Sequence, residues 1–544
     1  MKKYLFLAVA ALGFAACAEK GLDKNGPEQN GELEQSFVAI TLAADDMATK
    51  AGTDPVGEYE DGTPQERRVL SAHVLFFDEA GQAFPVTRDN KNYLTVLSED
   101  GFSEETNIDN VSDIQDAVLV IQNRKGEHPT KIVAVLNWVP DKNYTITELQ
   151  TTLSNLGDET NGLIMSNAVF AQNEEEMSAS IITPENIAES EALALAHPVK
   201  IYVERLAAKV TFDAINDGKF TVGYLNKEEK PENAVSAKIT GWELYKDYDK
   251  STLIKDINPK WTNLGFNWND PDWSRSYWTL STKAETESYA SNDFRWNPTT
   301  GEDLNLKGYI YCGENTARFL NDDASLVTPD PRTKVIIKAQ LLGADNQPIQ
   351  LARWHSTDYV GDVALKTAVV NTLRYSIYSG VTTGENTVYT SIGVDDLEIV
   401  EGNEAPTGTD IKAFEVFFKL TDDAATNKTW YQYQSGNYEK AANSGVINAR
   451  LAQIQPALKY TNGQTYYYTD IKHLGKPGTP GEFGVVRNHV YQFKITDING
   501  YGTPVFDGNT DFETPERPKD VETFVAAEIS ILSWRVVEQE ETLQ

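Results

Sequence analysis

The sequence predicts a mainly β protein of β-sandwich domains with few short helices. Short apolar stretches that alternate with polar residues recur along the chain, and polar segments rich in turn-forming residues separate them. Helical spacing of apolar residues is scarce. The chain also has 25 Tyr, 21 Phe and 10 Trp, enough apolar area for sizeable cores. With 544 residues, two or three domains are expected.

The first residues of the chain have the pattern of an export signal. Two lysines precede an apolar run, and the small residues Ala15 and Ala16 stand directly before Cys17. This order is typical of a secretory signal peptide, and the apolar run is too short to span a bilayer. The ending resembles a bacterial lipobox, so residues 1–17 are predicted to be a lipoprotein signal peptide and Cys17 to carry lipid. The alternative is an ordinary signal peptide with a chance cysteine.

The first strand candidate stands apart from the rest of the chain. Residues 18–34 are polar and predict a tether. The following "SFVAITLAA" alternates, with Val38, Ile40 and Leu42 on one face. A long polar segment then follows, and its basic residues are open to a trypsin-like protease. They are Lys50, Arg67 and Arg68.

The body of the chain reads as a series of strands. The candidates are "VLSAHVLFFDEAGQ", "AVLVIQN", "KIVAVLNWV", "VKIYVERLAAKVTF", "AKITGWELY", "YIYCGEN", "KVIIKAQLLG", "FEVFFKL" and "VYQFKITDI". The clearest helix candidate is "TITELQTTLSNL", in which a capping threonine precedes apolar residues at helical spacing. The regular pattern is lost at 217–233, which predicts a first domain over 51–225 and a second over 226–544.

The last apolar run, "TFVAAEISILSWRVV", is isolated by a polar segment rich in Pro and Gly. A terminal strand is predicted at about 524–537. Partway along this strand the apolar residues change from odd-numbered to even-numbered positions. This parity shift predicts either a bulge or a change of strand partner. The residues on the two sides of the shift are Val525, Ala527, Ile529 and Ile531, then Leu532, Trp534 and Val536.

Composition and motifs point away from several classes of function. A formal net charge of −33 disfavours binding to nucleic acid and to anionic lipid. The six histidines show no zinc-site spacing, and no nucleophile or nucleotide-binding motif is present. We therefore predict a protein that is not an enzyme and has no cofactor or metal. After processing, Cys312 is the one remaining thiol, so an internal disulfide is excluded.

Two features leave chemical alternatives open. The acidic pairs Asp270/Asp272 and Asp322/Asp323 could hold calcium, but they lack EF-hand spacing, and solvated loops are favoured. Four tryptophans lie close together in the sequence and could form a platform for sugars. Packing in a core or an interface is favoured for them instead. They are Trp261, Trp268, Trp273 and Trp278.

Taken in order along the chain, several stretches resemble the fimbrillins of Bacteroidales, most closely the Mfa-type major fimbrial subunits, which are type V pilins. The stretches are the lipobox at Cys17, "VLSAHVLFFDEAG", "KIVAVLNWV", "LIMSN", "VERLAAKVTF", "GFNWN", "YIYCGENT", "VVRNHVYQFKIT" and "EISILSWRVV". Each stretch is short, and their common order over nearly the whole chain makes the resemblance specific.

The resemblance implies two β-sandwich-like (transthyretin-like) domains and export as a lipoprotein precursor at the outer membrane. It implies that a trypsin-like surface protease removes residues 18–50, the tether and first strand. The vacated groove would then accept a neighbour's terminal strand. The matching scissile bond is Lys50–Ala51. Since the family usually has Arg there, Arg67 or Arg68 is the alternative. The donor residues would be Ile529, Ile531, Leu532, Trp534 and Val536.

The resulting hypothesis is a shaft subunit of a cell-surface fimbria that supports adhesion and biofilm formation. Its partners would be other copies of itself in a head-to-tail polymer, anchor and tip subunits, and the protease. The mature form would lie in extracellular fimbriae. The alternatives are a monomeric surface lipoprotein that binds glycans, and an anchor or tip subunit of the same system. For the terminal strand, the alternative is that it only completes the sandwich of its own chain.

Overall fold

The computed structural model describes residues 33–43, 59–97, 117–168, 170–172, 175–256, 308–315, 332–473, 483–506 and 524–535. Strands dominate these ranges, and the helices are few and short, so the predicted fold class is confirmed. No helix in the described ranges is both long and apolar enough to cross a membrane.

The elements follow one another in this order. The first fifteen strands are β1 Leu33–Ala43, β2 Tyr59–Asp61, β3 Ala72–Phe77, β4 Tyr93–Leu97, β5 Ala117–Arg124, β6 Lys131–Leu136, β7 Leu153–Asn155, β8 Gly157–Asp158, β9 Gly162–Leu163, β10 Met165–Asn167, β11 Phe170–Gln172, β12 Glu175–Met177, β13 Ser180–Ile181, β14 Ile187–Ala188 and β15 Val199–Arg205. The next ten are β16 Ala208–Ala214, β17 Lys219–Tyr224, β18 Ala234–Tyr245, β19 Lys250–Thr252, β20 Tyr309–Cys312, β21 Lys334–Leu342, β22 Leu351–Trp354, β23 Thr357–Val360, β24 Ile377–Thr383 and β25 Asn386–Ser391. The last nine are β26 Leu397–Glu401, β27 Val416–Leu420, β28 Trp430–Gln434, β29 Asn437–Lys440, β30 Leu458–Tyr460, β31 Gln464–Asp470, β32 His489–Asn499, β33 Thr503–Pro504 and β34 Phe524–Arg535. The α-helices are α1 Ile146–Thr151, α2 Glu191–Ala194, α3 Asp362–Leu373, α4 Asp422–Asn427 and α5 Ser444–Leu451.

The first sandwich is built from a nine-stranded sheet of order β14-β1-β15-β10-β6-β3-β4, with β5 on β1 and β13 on β6. Both ends of this sheet contribute to one core, in which Val38 and Ile40 of β1 lie with Val74 and Phe76 of β3. The sheet therefore encloses its own apolar interior. The predicted alternation of β1 is confirmed, since Val38, Ile40 and Leu42 are all buried in this core.

The second sandwich pairs two five-stranded sheets, β2-β34-β32-β16-β20 and β17-β18-β21-β31-β33. Their inner faces share a core, and the rings of Phe212 from β16 and Trp242 from β18 stack at 5.2 Å with 14° between their planes. The other face of β3 and β6 packs against Leu206, Ile254 and Val490, so apolar contacts join the two sandwiches.

The division between the sandwiches lies earlier in the chain than residue 226. β16 pairs in parallel with β32, and β17 pairs with β18, although both β16 and β17 precede that residue. We therefore place the division at 206–207, between β15 and β16. The segment 217–233, where the pattern is lost, contains β17 and the connection from β17 to β18, and both lie inside the second sandwich.

Residues between β22 and β30 form a third apolar core that the sequence analysis did not predict. It holds α3, α5 and the β26–β27 pair. Helix α3 buries Leu365, Val369 and Leu373, which are spaced four residues apart on one side of the helix. Valine and threonine are frequent in this helix, and these residue types favour strands when packing is ignored.

The predicted helix at 145–156 is present but short. Thr145 caps it as predicted: its hydroxyl accepts from the Glu148 amide at 3.1 Å, and the Glu148 carboxylate accepts from the Thr145 amide at 2.8 Å. The helix ends at Thr151, and Leu153 already belongs to β7, which pairs with β19. The predicted continuation to Leu156 is wrong because this strand pairing replaces the helical hydrogen bonds.

Candidate assembly site: the two terminal strands

The strand β1 is an interior strand of the first sandwich. It pairs antiparallel with β5 over eight residue pairs, from Leu33 opposite Arg124 to Ile40 opposite Ala117. On its other side it pairs with β14 and, in parallel, with β15. Within the described ranges, β5 forms a strand ladder with β1 and with no other strand. Taking β1 away would therefore leave a slot whose two edges are β5 and β15.

The side chains of β1 fill that slot. Val38 and Ile40 are fully buried, and Leu42 is 1% exposed. Burial of three such side chains contributes about 5–9 kcal/mol before ordering costs. The vacated slot would thus be apolar as well as bordered by unpaired backbone groups.

A polar contact fixes the beginning of β1. The Glu34 carboxylate accepts from the side-chain amide of Asn123 and from the backbone amide of Gly126, both at 3.1 Å. His128 lies 3.9 Å from the same carboxylate. These contacts tie β1 to the β5–β6 turn and set its register.

The terminal strand β34 lies in the second sandwich of its own chain. It pairs antiparallel with β32 over ten residue pairs, from His489 opposite Ser533 to Asn499 opposite Phe524. The strand β2 covers its other edge in parallel, with Tyr59 opposite Ser533. Donation to a neighbour would require β34 to leave both β32 and β2.

The parity shift at Ile531 and Leu532 coincides with a new strand partner. The ladder to β32 runs through these residues without a register shift, and the bulge lies on β32, between Ile495 and Asp497. From Ser533 onward β34 also pairs with β2. Of the two explanations for the shift, the change of partner agrees with the register. Ile529 and Trp534 also lie in β34, opposite Phe493 and Glu60, whereas Val536 lies outside the described residues.

The segment 62–70, which joins β2 to β3, is packed into the fold. The Asn137 side chain accepts from the Leu70 amide at 2.7 Å and donates to the Arg68 carbonyl at 2.8 Å. The Arg67 amide donates to the Thr63 carbonyl at 3.1 Å. The Arg68 carbonyl and the Leu70 amide are therefore bonded to the body through Asn137, and the Arg67 amide is held in a local turn.

Glu66 anchors this segment between the two sandwiches. Its carboxylate accepts from Lys209 at 2.8 Å and from the Tyr311 hydroxyl at 2.5 Å, and its carbonyl accepts from the fully buried Arg205 at 3.0 Å. Burial raises the pKa of Glu66, but the hydrogen bonds from Lys209 and Tyr311 outweigh it and hold that pKa below its ordinary value. Burial also lowers the pKa of Arg205 to about 9.

Several predicted residues lie outside the described residues: Cys17, Lys50, Ala51, the four tryptophans Trp261 to Trp278, and the acidic pairs Asp270/Asp272 and Asp322/Asp323. Cys312 is described: it is a free thiol at the end of β20, fully buried, and burial raises its pKa. Burial and a raised pKa both make a thiol unreactive.

One contact between two histidine rings was not predicted from the sequence. His473 and His489 lie with ring centroids 5.2 Å apart, and Tyr491 contacts His473 at 3.0 Å. Sequence spacing gave no signal, because the two residues are distant in the sequence and meet only in the folded protein. In the described part of the chain, no group of three or more His, Cys, Asp or Glu could hold a metal.

Comparison with known proteins gives one family match. Residues 458–540, which run from β30 through β34, match the model described as "Major fimbrial subunit protein type IV, Fimbrillin, C-terminal". No curated protein matches the chain.

Several solved structures are distantly similar to this chain. A fimbrilin from Porphyromonas gingivalis W83 has 13% identity and a TM-score of 0.39, covering 92% of this chain and 98% of its own. The tip fimbrial protein Mfa3 from the same species has 11% identity and a TM-score of 0.31. The match covers 92% of this chain and 100% of the Mfa3 chain. A fimbrial assembly protein from Parabacteroides distasonis has 11% identity and a TM-score of 0.28. The match covers 74% of this chain and 100% of the assembly protein's chain.

The family match covers the region that holds the second sandwich's last strands and the candidate donor strand. The fimbrillin family model thus matches the C-terminal region of this chain, and the predicted resemblance to fimbrillins is confirmed for residues 458–540.

Proposed function

We propose that this protein is a structural, non-enzymatic subunit of a cell-surface fimbrial shaft that polymerises by protease-triggered strand exchange. Adhesion and biofilm formation would be the roles of the fibre. The observation that carries the proposal is the position of β1, an interior strand on which the ladder of β5 depends. A strand that fills such a slot blocks any incoming strand, because it acts at high effective concentration.

Cleavage after Lys50 would turn β1 into a separate peptide that can be displaced. The incoming occupant would be β34 of a neighbouring copy, gaining a main-chain ladder and pockets for alternate side chains. Since each copy would donate at one end and accept at the other, the assembly does not close and grows into a filament. The cut would also free the body from the predicted lipid on Cys17.

The packing of segment 62–70 favours Lys50 over Arg67 or Arg68 as the processing site. A protease needs an accessible backbone, and the arginine segment holds its backbone in hydrogen bonds to Asn137 and Thr63. A cut there would also separate β2 from the body. Processing at Lys50 keeps β2 in the chain as a neighbour of β34.

The first test is N-terminal sequencing and intact mass of protein sheared from the cell surface, with a gel of unboiled samples. An N-terminus at Ala51 in a heat-labile ladder is expected. A lipidated N-terminus at Cys17 on a purely monomeric band would contradict the shaft assignment and favour an anchor subunit.

Reversible disulfides separate strand exchange from other modes of assembly. Gln492→Cys with Ser530→Cys joins register partners on β32 and β34, and Gln35→Cys with Gln122→Cys joins partners on β1 and β5. Under oxidising conditions each pair should stop polymerisation of the processed protein, and reduction should restore it.

The matched control is Lys219→Cys with Lys238→Cys, register partners on β17 and β18, which play no part in exchange. This pair should leave polymerisation unchanged. Polymers that form with the β32–β34 disulfide closed would show that the terminal strand only completes its own sandwich.

A further inference from the structure

A small four-stranded sheet packs against the third apolar core at one end, and one of its faces is exposed. This face plays no part in the proposed strand exchange. The four strands of the sheet have the order β25-β24-β28-β29. One face packs inward at one end, where Ile377 and Trp430 join the apolar core. Because successive side chains of a strand alternate between faces, the other face points away from that core.

This outer face carries five tyrosines. Tyr378 lies opposite Tyr431, and Tyr433 lies opposite Tyr438, while Tyr389 lies opposite Gly380. Residues opposite each other or two apart on one strand share a face. We call the set of Tyr378, Tyr389, Tyr431, Tyr433 and Tyr438 the tyrosine face.

The rings form one continuous group with Tyr438 at its centre. The rings of Tyr389 and Tyr438 stack with centroids 3.7 Å apart and 4° between their planes. Tyr378 and Tyr433 lie 5.0 Å and 4.9 Å from Tyr438, and Tyr431 lies 5.0 Å from Tyr389. Tyr433 and Tyr438 are 39% and 38% exposed. The group is therefore ordered by its own contacts and open to solvent.

A glycine allows the rings to lie close to the sheet. A Cβ atom at Gly380 would stand 2.5 Å from Cε2 of Tyr431, so the Tyr431 ring occupies the place of a side chain there. Any larger residue would push the ring outward. The position of the Tyr431 ring within the group thus depends on Gly380.

The remaining residues of the face are also rich in hydroxyl groups. Thr382 lies opposite Thr387, with 2.9 Å between the two hydroxyl oxygens, and Ser391 lies opposite Tyr378. Of the residues that the register places on this face, only Gly380 and Lys440 lack a hydroxyl, and no carboxylate is among them. The exposed valines Val381 and Val388 pair on the opposite face.

We infer that the tyrosine face binds a neutral oligosaccharide. An exposed aromatic surface offers stacking area at low entropy cost, and hydroxyl groups around it offer hydrogen bonds in both directions. A sugar ring presents C–H groups on its faces and hydroxyl groups at its edges, which matches both features. The site is distinct from both terminal strands, so it adds a binding activity whether or not the chain polymerises.

The charge distribution decides between a sugar and other occupants. The chain carries a net charge of −33, so a polyanion that approaches the face meets like-charge repulsion. A neutral oligosaccharide meets none, and the face itself has no carboxylate that would have to lose its hydration. Nucleic acid is disfavoured for the same reason.

The test is calorimetry of the full chain with neutral hexasaccharides of glucose, mannose, galactose and xylose, and with a hexagalacturonate as the anionic comparison. At least one neutral hexasaccharide should bind with a Kd below about 1 mM. Tyr438→Ala should weaken that binding at least tenfold, since it removes the central ring. Gly380→Val should weaken it as well, by displacing Tyr431.

The matched control is Tyr375→Ala, which removes a tyrosine that is 70% exposed but precedes β24. It should leave binding unchanged. Circular dichroism and the unfolding midpoint should show that all three variants fold. Absence of binding to all four neutral sugars would overturn the inference, as would equal losses in Tyr438→Ala and Tyr375→Ala. Self-association that Tyr438→Ala abolishes, without sugar binding, would assign the face to a second copy.

Discussion

The carboxylate of Glu66 lies 2.8 Å from the ammonium group of Lys209, and both side chains are buried. Glu66 follows β2, and Lys209 stands at the beginning of β16. The pair therefore joins the segment that follows the predicted processing site to the second sandwich. It also holds the chain next to β2, the strand that covers one edge of β34.

Glu66→Gln should strongly destabilise the protein. The substitution removes the carboxylate charge of a buried ion pair with Lys209, and breaking such a pair from one side typically costs about 3–5 kcal/mol. Urea unfolding followed by tryptophan fluorescence measures the change. Glu228→Gln is the control, because the Glu228–Lys230 contact of 2.9 Å is exposed and its loss should change little. Equal effects of the two substitutions would contradict the role assigned to Glu66.

The contribution of Glu66 should depend on pH. Its pKa is lowered in the folded protein, so the stabilisation is complete above the ordinary value of 4.5 and is lost as the pH falls through the lower folded value. The difference in unfolding free energy between the natural protein and Glu66→Gln should therefore shrink on acidification from pH 7. A difference that stays constant down to pH 3 would show that ionisation of Glu66 does not contribute.

Trypsin should not cut the folded protein after Arg67 or Arg68. The Arg68 carbonyl accepts a hydrogen bond from Asn137 and the Arg67 amide donates to Thr63, and cleavage requires those bonds to open. Brief digestion followed by N-terminal sequencing checks this. In Asn137→Ala, which removes the contacts to Arg68 and Leu70, cleavage at this segment should become faster than in the natural protein. Rapid cleavage there in the natural protein would reopen the choice of processing site.

Ile40→Ala should destabilise the unprocessed protein by about 2–5 kcal/mol, because Ile40 is fully buried in the first core. Gln35→Ala, at an exposed position of the same strand, should have little effect. Thermal unfolding of the two variants measures the difference. Removal of β1 also removes both substituted positions, so the two processed variants should then unfold at the same temperature. An effect of Ile40→Ala that is no larger than that of Gln35→Ala would show that β1 does not fill the slot.

Alternation of apolar residues predicted the strands well. β1, β3, β5, β6, β18, β21 and β32 all lie where the pattern placed them, because one buried face imposes a period of two on the sequence. The pattern failed for α3, in which β-branched residues obscured the helical spacing of Leu365, Val369 and Leu373. It also misplaced the division between the sandwiches, since pairing between distant strands leaves no local signal.

The sequence by itself determined the fold class, the strands, the acidic charge and the isolated apolar strands near each end. These are local properties, set by the order of side chains along one segment. Only the tertiary structure decided that β1 is interior, that β2 covers β34, that Glu66 joins two sandwiches, and that five tyrosines share one face. Each of these depends on which distant segments pair and in which register, and hydrogen bonding between strands fixes that only when the whole chain is folded.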